Sequence, residues 1–180
     1  MALCPSACAP ALPASPSGGC GVTIRQGGIS RLAFIKCDYE FEDITDVAEW
    51  TAAITAGDVV LTGLLLGNKP KGTFTKKRLS SCAPEAVIGG EKTVAFQDYN
   101  NDPGECKDIS FWNTIQANAT KYQFGYYTCD GFFYGVIDAF QIEVDQVIED
   151  NNTGAIYYDG TVTWNATQMP CGYEVNLNGL

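Results

Sequence analysis

Residues 122–146 read YQFGYYTCDGFFYGVIDAFQIEVDQ, and the folding of this stretch decides the architecture of the chain. KYQFGYYT and FFYGVIDAF are rich in β-forming residues and flank Asp130-Gly131, the pair that a two-residue type I′ turn prefers. A β-hairpin is the expectation. Between Tyr126 and Phe140, six of fifteen residues are aromatic. Tyr122, Phe124 and Tyr126 alternate onto one face, Tyr127 falls on the other, and Phe132 and Tyr134 oppose Phe133 on the return strand. Large side chains on both faces of a hairpin call for cover on both. One cover is the protein's own core. The other is a second sheet, a helix such as one bearing Trp112, or another subunit, and core plus subunit contact is the expectation. FQIEVDQ then places Phe140, Ile142 and Val144 inward and Gln141, Glu143 and Asp145 outward. A turn at NNTG leads into the closing strand, AIYYDGTVTW.

Moving outward, the stretch from Asp108 predicts a short helix with Ile109, Trp112 and Ile115 or Gln116 on its inner face. A clearer helix is predicted over Asp46–Ala56. Asp46 and Glu49 have capping-box spacing, Val47, Trp50 and Ile54 share a stripe, and Gly57 supplies the stop. GVTI and SRLAFIKCDYEF read as strands, the second with Leu32, Phe34 and Lys36 on one face. DVVLTGLLLG reads as a strand with a turn, residues 73–79 and 85–88 as short strands, and EKTVAFQDYN as a further strand.

At 180 residues the chain is long enough for one core plus an ordered arm. Residues 1–20 form a Pro/Ala/Ser/Gly segment with Cys4, Cys8 and Cys20, expected to be an extended arm reaching about 60 Å at about 3 Å per residue. Residues 21–180 are expected to form a β-rich assembly domain. The predicted fold class is mainly β (α+β): an antiparallel β-sandwich or barrel-like domain with two short helices and that arm. The start of the chain lacks Lys, Arg and a continuous apolar run, so no signal peptide is expected. The apolar run around Leu64–Leu66 is too short for a bilayer, and no membrane partner is expected.

A net charge of −10 argues against tight, non-specific nucleic-acid binding. The basic cluster Lys69, Lys71, Lys76, Lys77 and Arg78 reads as a solvated loop or strand edge, with an acidic partner as the other reading. The chain has no histidine, which removes the commonest general base and the histidine-dependent nucleophiles. Asp138 with Glu143 or Asp145 is the remaining carboxylate pair, but acids on the outer face of a strand serve solubility. Cys4, Cys8, Cys20 and Cys37 could supply four thiolates to zinc, though not at a paired-knuckle spacing. The expectation for the eight cysteines is free, buried thiols, with disulfides between subunits in an oxidising medium as the alternative. Neither a cofactor nor an enzymatic activity is expected.

The stretch from Asp108 to Pro170 runs as a short helix, an aromatic strand, FYGVIDAFQIEVDQVIEDNNTG and a strand ending in Trp164-Asn165 and Pro170. With the cysteine-bearing arm ahead of CGVTI and RLAFIKCDYEFEDITDVAEW, it resembles small virion structural proteins of tailed phages of Bacteroidetes, the crAss-like group among them. The resemblance implies a self-assembling subunit made in the host cytoplasm and located in the virion. A tail-tube protein forming stacked rings is the leading form; a head–tail connector ring or a capsid decoration is the alternative. Partners would be copies of itself, other virion proteins, and DNA passing through without specific binding. An acidic lumen would suit that passage, with Glu143, Asp145, Glu149 and Asp150 as candidates. Trp50, Trp112, Tyr127, Phe133 and Tyr157 are the interface candidates, since large aromatics dominate interface energy. A secreted carbohydrate-binding or adhesive module is the rival from another class.

Overall fold

A computed structural model describes residues 27–78, 80–81, 84–100, 106–150 and 154–180; the predicted arm over 1–20 and the GVTI strand lie outside them. In chain order the elements are β1 (Ile29–Lys36), α1 (Val47–Ala56), β2 (Val59–Leu61), β3 (Leu66–Asn68), β4 (Thr73–Arg78), β5 (Glu85–Asp98), α2 (Lys107–Ala117), a 3-10 turn (Ala119–Lys121), β6 (Tyr122–Thr128), β7 (Phe132–Ile137), β8 (Phe140–Ile148), β9 (Ile156–Asn165) and β10 (Gly172–Glu174). Every strand pair is antiparallel. The sheet runs β10-β7-β6-β1-β3-β5-β9-β8, with β2 added to β1 and β4 to β5. The fold is therefore mainly antiparallel β with two helices.

β1 is its spine. Five of its eight residues are apolar and six are buried, as suits a strand covered on both faces. Leu32 and Phe34 enter a larger core, while Ala33 and Ile35 enter a smaller one on the opposite face. One edge of β1 pairs along its length with β6; the other is shared between the short strands β2 and β3. Thr62 bridges the gap between them: its hydroxyl accepts from the Leu32 amide at 2.9 Å, and its own amide donates to the Leu32 carbonyl at 2.9 Å. That closes the ladder where neither short strand reaches, so no buried backbone group of Leu32 is left without a partner.

The sheet is rolled. β6 and β9 are four places apart in strand order, yet Phe124 of β6 lies 5.9 Å from Trp164 of β9 and 5.4 Å from Phe140 of β8, ring centre to ring centre. Only a strongly curved, barrel-like sheet brings those rings together. α2 closes the opening: Trp112 packs 5.1 Å from Phe96 and 6.3 Å from Phe34, and Ile115 is buried beside it. Ile109, predicted inward, is exposed; the buried stripe of α2 begins one turn later. Gln116 lies at the helix edge, where its side-chain oxygen accepts from the Val144 amide of β8 at 2.9 Å.

The smaller core lies outside the roll, under α1. Its helix starts and stops where predicted, with Asp46 accepting from the Ala48 amide and Gly57 left-handed at the C-terminus. The reciprocal half of the capping box does not form. Glu49 instead reaches back to the amides of Glu42 and Asp43, both at 2.8 Å, and so ties the preceding loop to the helix. The inward stripe is Trp50, Ala53 and the partly buried Ile54, with Val47 exposed. The Trp50 indole donates to the Ile44 carbonyl at 2.9 Å and its ring sits between Phe41 at 4.6 Å and Phe133 at 4.8 Å.

The β6–β7 hairpin forms, but not with the predicted turn. A type I′ turn needs positive φ at both central residues. Within Cys129–Gly131 only Gly131 is left-handed, at φ 85°, and its amide donates to the Thr128 carbonyl at 3.1 Å. This is a three-residue loop with glycine in the left-handed place, the next commonest hairpin connection.

Candidate assembly surface

The aromatic residues predicted to hold neighbours together are enclosed within the protomer. Trp50, Trp112, Tyr127 and Phe133 are all buried, Trp50 and Phe133 completely. The cover that the hairpin requires on its second face comes from its own chain. Val175 and Leu177, in the segment that follows β10, lie buried over Tyr127 and Phe133, and the Leu177 amide donates to the Tyr127 hydroxyl at 3.3 Å. Arg31 anchors the same segment by donating to the Leu180 carbonyl at 2.6 Å. These four residues are therefore core, not contact points. Sequence could not distinguish the two, because a side chain covered by a distant segment and one covered by a neighbour follow the same pattern.

Tyr157 is the exception. It is only partly buried and packs against the exposed Tyr99, with ring centres 5.0 Å apart and the planes tilted by 31°. Loss of solvation raises its hydroxyl pKa, and the nearby Glu149 carboxylate adds to the effect. This pair lies at the turn end of the β8–β9 hairpin, beside the exposed Ile148 and Ile156. The predicted acids surround it. Glu143 and Asp145 are exposed on the outer face of β8, Glu149 accepts from the Ala155 amide at 3.1 Å, and Asp150 follows, exposed. Asp145 pairs directly across the ladder with Asp159, an arrangement of like charges that weakens a sheet. From Asp138 to Leu180 the chain carries no Lys or Arg to offset them.

The opposite end of the sheet has a different feature. β5 is one 14-residue strand where two were predicted. Its C-terminal half, Glu91–Asp98, pairs with β9; its N-terminal half pairs only with β4 among the described residues. Beyond the Ala166-to-Gly90 hydrogen bond, β4 and β5 continue as a two-stranded arm whose outer edges have no backbone partner among the described residues. Every residue of β4 is exposed. Phe74, Val87 and Ile88 show 47%, 47% and 50% of their surface to solvent. Lys76, Lys77 and Arg78 stand across from Val87, Ala86 and Glu85. The basic cluster thus includes a strand edge, one of the two readings of its composition. At the arm's root the Lys92 ammonium lies 3.9 Å over the Phe74 ring, and burial, followed by proximity to Lys92, lowers the pKa of Lys69.

Asp138 accepts from the Gln123 side-chain amide at 2.8 Å and lines a different depression from Glu143 and Asp145, so the carboxylate pair is not assembled. No group of three or more His, Cys, Asp or Glu is placed to hold a metal among the described residues. Cys37, Cys106, Cys129 and Cys171 are free thiols, and all four are exposed rather than buried. They occupy turns and element ends. Cys4, Cys8, Cys20 and Cys82 lie outside the described residues, so three of the four candidate zinc ligands do too. No protein-family model matches the chain, and neither a curated protein nor a solved structure does.

Proposed function

We propose that the chain is a self-assembling structural protein of a virion, with a phage tail-tube subunit as the leading form. The observation that carries this reading is the β4–β5 arm. A ribbon with open strand edges and exposed Phe74, Val87 and Ile88 adds nothing to either core, and such an edge is a template for pairing with another chain. The resemblance of the sequence to small phage virion proteins supplies the virion setting. A connector ring or capsid decoration shares these features and differs in the form of the assembly.

Electron microscopy of the purified full chain at rising concentration tests the reading. Rings or tubes of uniform diameter are the expected result, and tubes favour the tail-tube form. Monomers that persist at high concentration overturn it.

A further inference from the structure

β5 gives the molecule two electrically opposite ends. At its N-terminal end, the arm carries Lys76, Lys77 and Arg78 against Glu85, three positive charges to one negative. At its C-terminal end, where Asp98 pairs with Tyr158, lies the turn end of the β8–β9 hairpin, with Asp145, Glu149, Asp150 and Asp159 and no Lys or Arg of its own. The thirteen steps from Glu85 to Asp98 span about 40 Å at about 3.3 Å per residue. Screening at physiological salt acts over about 8 Å, so the two ends of one protomer do not neutralise each other. A second copy can bring them together.

Resting on the assembly reading above, we infer that the β4–β5 arm of one copy docks on the β8–β9 end of the next, basic ribbon against acidic hairpin. The apolar surfaces match in the same way. Phe74, Val87 and Ile88 are exposed amid the bases of the arm, and Tyr99 with Tyr157 on the acid-bearing face of the receiving end, where Ile148 and Ile156 are exposed on the other face. Apolar centres within charged rims are the usual anatomy of a specific contact. The like-charge pair Asp145–Asp159 also gains a partner. Because the two surfaces differ, the contact is head-to-tail, and repetition builds a ring if the rotation closes or a filament if it does not.

Charge reversal at each end tests this, read by sedimentation velocity of the full chain in low and high salt. Lys76→Glu/Lys77→Glu/Arg78→Glu and Glu149→Lys/Asp150→Lys/Asp159→Lys each place like charges against each other and should weaken association about tenfold or more. A chain carrying both sets, with the signs exchanged, should regain it. Wild-type association should fall between about 50 mM and 500 mM salt as screening shortens. Assemblies that survive both reversals overturn the inference and leave self-assembly standing; a wild-type chain that stays monomeric overturns both. If the arm variant loses retention of a DNA duplex while association is unchanged, the arm serves a polyanion and the inference fails. Unfolding midpoints check that each variant folds, and the single substitutions Lys77→Glu and Asp150→Lys replace any set that does not.

Discussion

The hairpins β4–β5 and β6–β7 are built alike, each an antiparallel ribbon with aromatic and β-branched side chains, but their surroundings are opposite. β6–β7 is covered on both faces, by the rolled sheet and α2 on one side and by α1 with the segment after β10 on the other. β4–β5 leaves the sheet and keeps Phe74, Val87 and Ile88 in water. An isolated two-stranded ribbon is marginal by itself, and this one persists because β5 continues into the core as part of the same strand. The difference shows that aromatic density marks what must be covered but not who covers it. Exposed apolar residues on an uncovered ribbon are the more informative sign of an external partner.

The comparison breaks most readily at Trp50 and Phe133. Trp50→Ala or Phe133→Ala should cost about 3–5 kcal/mol in chemical denaturation, because each empties a fully enclosed site. A loss below 1 kcal/mol would mean that these side chains are not core after all. Overfilling should hurt nearly as much. A Cβ at Gly125 would meet the Phe133 ring and one at Gly160 the Phe96 ring, so either Gly→Ala change should cost about 1–3 kcal/mol.

Smaller effects sharpen the comparison from the surface side. Asp145→Asn removes a like-charge pair and should raise stability by about 0.2–1 kcal/mol, with the gain shrinking in salt. A stability loss there would show that the acidic face is not self-repelling. In the arm, Val87→Ser and Ile88→Ser should change unfolding by about 0.5 kcal/mol or less, whatever they do to association. The faintest signal is pH dependence at Lys36, whose pKa is raised by its hydrogen bond and ion pair with Asp58 at 2.7 Å. Its folded pKa lies above the unfolded one. The stabilisation is therefore complete below the ordinary lysine value and lost as pH rises through the raised one. Asp58→Asn should flatten that alkaline decline, followed by thermal melts between about pH 9 and 12.

Much of the fold was legible wherever local chemistry controls it. Asp46 and Gly57 mark the ends of α1, and the alternation of Phe140, Ile142 and Val144 against Gln141, Glu143 and Asp145 survives intact in β8. The misreadings share a cause: a distant segment made the decision. Val47 and Ile109 lie on plausible helical stripes, but the neighbouring sheet rotates the buried face toward Ala53 in α1 and toward Trp112 and Ile115 in α2. Gly89 and Gly90 look like a strand break, yet β4 on one edge and Ala166 beyond β9 keep β5 continuous through them, with a register shift at Ile88. The candidate surface was legible only in part. The acids and the basic cluster were visible as charges, but their separation along β5 is a property of register, which no local pattern encodes.

That continuous strand also governs how the molecule bears load. A pull on the arm along the axis of β5 is resisted by the Glu91–Asp98 ladder with β9, whose bonds are stretched side by side instead of being unzipped one after another. Tension entering at Arg78 or Val87 is thus shared across the whole ladder and passed to Val94 and Phe96 in the core, making the subunit stiffest along the line joining its two ends.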